Sequence, residues 1–284
     1  MDVSVIIPVY NPGNYLLEAV ESVYASDSLD KINYEIILVN DGSTDKYTLM
    51  ILNALNTKEH LKIIDQKNQG PAAARNTGIR NSSGKCLLFL DADNKIRGKF
   101  MQTAVRFLKS DSADIVHGNP HFFGDSNEIR FKTGHFDMNS MLYTNHIDMC
   151  TAMKRSVWEQ LGGFDESRVL IGFEDWEFWI RAGAAGMKFR FVDDVLYDYR
   201  INNKSLLSTK NVPNNIDKVY DYVYTKHQKY IFNAYRSLYP QYMVCQQYQN
   251  QSVQNLIGLI GEQWRQRCMY QLYRVRNVIK RIIR

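Results

Sequence analysis

Residues Leu88–Asn94 read LFLDADN, three large apolar residues followed by two acids one position apart. An unbroken apolar run of this kind predicts a strand covered on both faces, since a half-exposed strand alternates apolar and polar residues. The acids mark its exit. On extended backbone, residues i and i+2 share a face, so Asp91 and Asp93 project together past Ala92 unless the chain turns. Two carboxylates that close raise each other's pKa unless a cation lies between them. Either the pair splays into water at a turn, or it holds something positive.

The same pattern recurs upstream and downstream. VSVIIPV (3–9), YEIILV (34–39), LKIID (61–65), KCLLFL (85–90) and ADIVHG (113–118) are predicted strands. Between them, Leu16 to Tyr24, Lys46 to Leu55, Ala72 to Ile79 and Phe100 to Leu108 carry apolar residues at helical spacing. Apolar strands alternating with helices predict an α/β fold, a mostly parallel central sheet with helices on both faces. Ligands of such sheets bind beyond the carboxyl ends of the strands. Those ends are Pro8-Val9-Tyr10-Asn11, the turn NDGSTD (40–45), Gln69-Gly70-Pro71 and Asp91-Ala92-Asp93. Most of them are polar or acidic, and they would gather along one rim.

The 284 residues allow one large domain, or one with an appendage, and 45% apolar with 23% charged residues is ordinary for a globular chain. No apolar run approaches the ~18 residues of a membrane span. The start, MDVSVIIPVY, has an acid where a signal peptide carries Lys or Arg, so a cytoplasmic location is expected. Cys86, Cys150, Cys245 and Cys268 form no CxxC pair, which argues against a zinc knuckle or a disulfide framework.

Several motifs fail on spacing. Gly78 to Lys85 has five residues between its glycines where a phosphate-cradling loop needs four, and it precedes a strand. No GxGxxG follows the first strand. Lys95 and Ile96 stand where a calcium loop needs a ligand and a glycine. His117 and His121 are four apart, but Pro120 breaks a helix between them, and a surface loop is expected there. There is no GxSxG elbow.

Residues 120–145 are irregular and polar. A strand from Met149 to Met153, a helix from Arg155 to Leu161, a helix from about Glu174 to Ala185, and strands at Phe189–Val192 and Leu196–Tyr199 are then predicted. A polar break at 203–214 precedes a helical region from Ile216. The expected boundaries are 1–210, with halves 1–118 and 119–210, and 211–284.

In order, VSVIIPVYN, ILVNDGSTD, NQGPAAARNTGI, LFLDADN and FEDWEFWIRAG resemble the donor-site series of glycosyltransferase family 2, over about residues 2–205. The resemblance implies a GT-A fold and an inverting transfer of sugar from a nucleotide diphosphate, UDP favoured, to a hydroxyl on a saccharide or lipid-linked acceptor. The implied setting is assembly of cell-surface polysaccharide or glycolipid. It also implies roles. Pro8, Val9 and Tyr10 would line the base, and Asp41 would bond the uracil or ribose. Arg75 would face base or phosphate, against the alternative of an exposed helix Arg. Asp91-Ala92-Asp93 matches the DxD motif, so a Mg²⁺ or Mn²⁺ ion would bind Asp93 directly, with Asp91 on the ribose or reaching the metal through water. That would answer the repulsion between the two acids.

Inversion needs a base facing the leaving group across the sugar. Glu174 and Asp175 both open a predicted helix, where the macrodipole favours acids in any case. Only one of two adjacent helical residues can face the sugar, and the resemblance assigns the base to Asp175, with Glu174 and Trp176 on the acceptor side. Trp176 is either a sugar-stacking platform or part of a core stripe with Trp179 and Ile180. Family relatives carry Tyr-Arg-x-His after the last strand, whereas this chain has Tyr199-Arg200-Ile201-Asn202, leaving Arg200 and Lys204 as candidate diphosphate contacts.

After Glu262 come seven basic residues and no acid, with Cys268, Leu272, Val275, Ile279 and Ile282 at helical spacing. Residues 265–284 therefore read as a basic amphipathic helix on anionic lipid at the inner face of the cell membrane, a coiled-coil seam of a homodimer, or a helix packed on its own domain. No nucleic-acid recognition module is recognisable. A catalytically inactive nucleotide-sugar-binding or partner-recruiting protein is the alternative to an enzyme.

Overall fold

The computed structural model describes residues 1–26, 32–202 and 216–249. The chain forms two compact units, Met1–Asn214 and Asn215–Arg284. In the first, one sheet contains β1 (Val3–Val9), β2 (Tyr34–Asp41), β3 (Leu61–Gln66), β4 (Cys86–Phe89), β5 (Lys95–Ile96), β6 (Ile115–Gly124), β7 (Ala152–Lys154) and β8 (Phe189–Ile201). Their order is β3-β2-β1-β4-β7-β6-β8-β5. The first four strands are parallel, β7 joins antiparallel to β4 and β6, and β6 and β8 run parallel. Helices α1 (Tyr15–Tyr24), α2 (Lys46–Leu55), α3 (Pro71–Arg80), α4 (Phe100–Lys109), α5 (Met138–Met141), α6 (Arg155–Leu161) and α7 (Glu174–Ala184) complete this unit. In the second unit lie α8 (Ile216–Lys226) and α9 (Gln228–Gln249). Among the described residues no helix is long and apolar enough to cross a membrane.

The apolar runs sit where their composition requires. Ile6, Ile7, Ile36, Ile37, Leu87, Leu88 and Phe89 are all fully buried, so both faces of β1, β2 and β4 are covered. The turns are built from the residues that suit them. Asp45 caps α2 by accepting from the Thr48 amide at 2.8 Å. Pro71 opens α3, where its missing N–H costs nothing.

Gly78 lets α3 lie directly on the sheet. A Cβ there would stand 2.7 Å from Ile6 Cγ2 and 3.1 Å from Val39 Cγ2. Gly78→Ala is expected to destabilise by about 1–3 kcal/mol through overpacking, visible as a lower urea midpoint at unchanged slope.

Two expectations are corrected. The predicted strands at 189–192 and 196–199 are one strand, β8, because a bulge opposite Gly118 and Asn119 carries Asp193 and Asp194 past the ladder. The same irregularity accommodates Pro120, so His117 to His121 lies in β6 and forms no surface loop. His117 is buried, and burial with His146 and His135 nearby pushes its pKa down to about 3. Lys204 and residues 265–284 lie outside the described residues.

Candidate active site

The rim at the carboxyl ends of the parallel strands is stitched by short polar turns. Asn11, at φ 53°, accepts the amides of Thr44 and Asp45 on Oδ1, at 2.8 and 2.9 Å. Asn40 accepts from the Ser43 amide and donates to Asp65. Asp41 is buried, and its carboxylate accepts from Gln66 Nε2 (2.7 Å), the Gln69 amide (2.9 Å) and the Gly70 amide (2.8 Å). The side chain expected on a nucleoside thus anchors the loop into α3. Tyr10 is 56% exposed at the mouth, with Pro8 half-buried beside it. Val9 is buried in the core and offers only backbone, so its side chain cannot line a base.

Arg75 is the hinge of the site. Its Nη2 lies 2.6 Å from Asp91 Oδ1 and its Nη1 2.6 Å from Glu174 Oε1. The residue is buried, and its Nε has no hydrogen-bond partner among the described residues. Burial alone would lower its pKa, but Asp91 and Glu174 outweigh that and raise it. This overturns the reading of Arg75 as an exposed helix residue. It bridges the DxD turn after β4 and the start of α7, and is shielded from solvent.

The turn itself is closed by the Asn94 amide donating to the Asp91 carbonyl. Asn94 Oδ1 accepts the Arg200 amide at 2.8 Å, and Arg200 Nε donates to the Asp93 carbonyl at 2.9 Å. Arg200 Nη2 meets Glu18 at 2.7 Å, and its guanidinium lies between the Tyr15 and Phe123 rings. With two nitrogens engaged this way, Arg200 supports the turn from beneath, a different task from the expected diphosphate contact.

Asp91 has its Arg75 partner, while the half-buried Asp93 carboxylate makes no salt bridge among the described residues. Burial and the neighbouring Asp91 push the Asp93 pKa up to about 6. Among the described residues no group of three or more His, Cys, Asp or Glu could hold a metal. Two carboxylates one residue apart nonetheless suit a hard cation such as Mg²⁺, which commonly takes one or two protein carboxylates and completes its shell with phosphate and water.

Across the rim, Asp175 accepts from Asn145 Nδ2 at 2.8 Å and from the Trp176 amide at 2.7 Å. Burial raises its pKa well above the ordinary carboxylate range, and the charges of Glu174 and Asp148 add to the rise. Glu174 points the other way, to Arg75 and the Gly172 amide (2.7 Å). Adjacent helical acids therefore diverge as the geometry of a helix requires.

Trp176 is not a platform. It is 2% exposed and donates its indole N–H to the Met141 carbonyl at 2.6 Å. Trp179 does the same to the Ile147 carbonyl at 3.0 Å. The two indoles pin the segment that presents Asn145 to Asp175.

Sequence reasoning passed over Asp148. It accepts from the Cys150 amide and from the Tyr197 hydroxyl, and burial with nearby Asp91 pushes its pKa up to about 7. The only signal was an acid directly before the apolar run from Met149.

Four acids, Asp91, Asp93, Asp148 and Asp175, thus occupy one rim, with Arg75 tying two of its edges together. The sequence model of Glycosyl transferase family 2 matches residues 4–173. The glycosyltransferase GlyA of Streptococcus pneumoniae is 36% identical over 124 residues, 44% of this chain, and this chain spans 17% of GlyA's length. GlyG of the same organism is 27% identical over 234 residues, 73% of each chain. The crystal structure of S. aureus TarS 1-349 in complex with UDP-GlcNAc superposes with a TM-score of 0.65 at 19% identity, covering 97% of this chain and 79% of TarS 1-349. That last likeness is one of fold, and it matches the mostly parallel sheet described above. With the family's sequence pattern running from β1 to the turn before α7, the chain belongs to glycosyl transferase family 2.

Proposed function

We propose that this protein transfers a sugar, with inversion, from a nucleotide-diphosphate donor to a hydroxyl acceptor in cell-surface polysaccharide or glycolipid assembly. The observation that carries the reading is the opposition of two acids of different character. Asp93 makes no salt bridge among the described residues at the strand exit, whereas Asp175 is held by Asn145 and the Trp176 amide at the start of α7. Asp175 takes the proton of the acceptor hydroxyl as its oxygen bonds the anomeric carbon. The bond from that carbon to the diphosphate oxygen breaks on the opposite face, and the nucleoside diphosphate leaves with the electron pair. Glu174 and Arg75 fix the start of α7 relative to the DxD turn, and so the span between the two acids. Asp93 and Asp91 would hold Mg²⁺ or Mn²⁺, which supplies charge stabilisation to the departing diphosphate.

Uridine is favoured because TarS has been crystallised with UDP and with UDP-GlcNAc. Tyr10 and Pro8 stand where a base would enter, and the acceptor is a saccharide or lipid-linked hydroxyl.

The test is calorimetric titration with UDP, GDP, CDP and dTDP, each with Mn²⁺ and with chelator. One nucleotide is expected to bind only with metal, and Asp93→Ala is expected to weaken it by about 10²-fold or more, the loss of a direct charged ligand. Equal binding by Asp93→Ala and wild type would sink the metal assignment.

A further inference from the structure

The four acids share a neighbour that the proposed transfer leaves unused. Tyr199 lies on β8 in register with Phe122 on β6, next to the Arg200 that supports the DxD turn. Its ring packs edge-on against Phe122 (5.6 Å) and Phe131 (5.4 Å), which are themselves 5.2 Å apart. Three rings packed edge-on to one another, at 63–86°, leave a phenol little freedom to swing, so its ring plane is fixed by packing.

Strand alternation puts Tyr197 on the same face. The Tyr197 hydroxyl donates to Asp148, so its capacity is already used inside the protein. Tyr199, two residues nearer the DxD turn, makes no hydrogen bond to a protein group among the described residues. Burial raises its pKa, and the carboxylates of Asp148, Asp91, Asp93 and Asp175 raise it further, so the phenol keeps its proton. A phenol on the face that brings Tyr197 to Asp148, two residues nearer the DxD turn and bonded to none of the four acids, is a donor available in the space beside them. Ionised carboxylates only accept, Arg75 Nη1 and Nη2 are engaged and its Nε is buried, so the site is poor in accessible donors.

In the proposed reaction that space is occupied by the sugar, its diphosphate toward Asp93 and the far face of its anomeric carbon toward Asp175. We propose that the Tyr199 hydroxyl donates a hydrogen bond to a hydroxyl oxygen of the transferred sugar, making Tyr199 a residue that selects the sugar and not the nucleotide. The assignment rests on the donor-site reading above.

Full-length wild type and Tyr199→Phe are titrated with UDP and with UDP-GlcNAc, UDP-glucose and UDP-galactose in Mn²⁺. Loss of one neutral hydrogen bond corresponds to about five- to tenfold in Kd. Tyr199→Phe is expected to weaken the best-bound UDP-sugar by that factor while UDP stays within about twofold, the difference being one bond that only the sugar makes. The ratio of the two constants within each protein is insensitive to any loss of folded fraction. An unchanged ratio overturns the proposal, whether both ligands weaken together or neither does. If wild type binds none of the four ligands, the donor-site reading itself fails and takes this assignment with it.

Discussion

Asp175→Asn is expected to lower the transfer rate by about 10²- to 10⁴-fold, the usual contribution of a positioned general base, with donor affinity little changed. The distinction between the two effects matters. Asp175 sits across the rim from Asp93 and touches no part of the proposed nucleotide site, so its removal belongs in kcat. Its raised pKa sets the pH profile. A base must be ionised to act, so activity rises with pH through the Asp175 pKa, and the acid limb lies above the ordinary carboxylate range.

Stability follows the opposite sign. A folded-state pKa above the unfolded value favours folding at low pH, and that contribution is lost as pH rises through the folded pKa. An amide removes this dependence, which favours Asp175→Asn at neutral pH. Against it, the new N–H₂ meets a donor on either side, the Trp176 amide or Asn145 Nδ2, and Asn145 can turn over only by giving up the Ile147 amide it now accepts. These terms oppose, so the melting temperature is expected to move little. Rates at saturating donor, measured from pH 5 to 9 beside a thermal melt, check both parts. Full transfer activity in the variant would remove Asp175 from the mechanism.

The strands, and the acids at their ends, were legible because periodicity is local. A run such as VSVIIPV can be covered on both faces only inside a parallel sheet, and the exits of such a sheet define the rim. The roles of single residues on that rim were less legible, because they depend on partners as far as 16 to 182 positions away. Arg75 is the instructive case. Its helix reads PAAARNTGIR, and Ala72, Ala73, Ala74 and Gly78 together signal a helix pressed close to the sheet on more than one side. A basic residue on such a helix has no route to water and must find carboxylates. Trp176 and Trp179 were ambiguous for the converse reason, since an indole serves a sugar or a core equally well until its N–H partner is known. Asp148 and the hydroxyl of Tyr199 were not legible. Asp148 follows a segment too irregular to place, and the predicted strand Leu196–Tyr199 does not reveal that the Tyr199 hydroxyl bonds no protein group among the described residues.

Arg75→Met is expected to destabilise the domain by about 3–5 kcal/mol, the cost of leaving a buried carboxylate without its partner. At roughly 2–4 °C per kcal/mol for a unit of this size, the melting temperature falls by ~6–20 °C. The two carboxylates do not share that cost equally. The Asp91 side chain is 31% exposed and recovers water, whereas the Glu174 side chain is 7% exposed and keeps only the Gly172 amide. Glu174 should therefore carry most of the penalty, and Arg75→Met with Glu174→Gln should regain more stability than Arg75→Met with Asp91→Asn. Arg75→Lys keeps the charge but cannot reach Asp91 and Glu174 at once with a planar fork, so it should lose most of the bridge. If the bridge sets the span between Asp93 and Asp175, the lysine variant loses kcat more than donor affinity, because each half of the site survives while their separation loosens. Equal stability of the two rescue variants would mean that Asp91 is as poorly hydrated as Glu174, and the DxD turn would then depend on Arg75 for its charge balance as much as the start of α7 does.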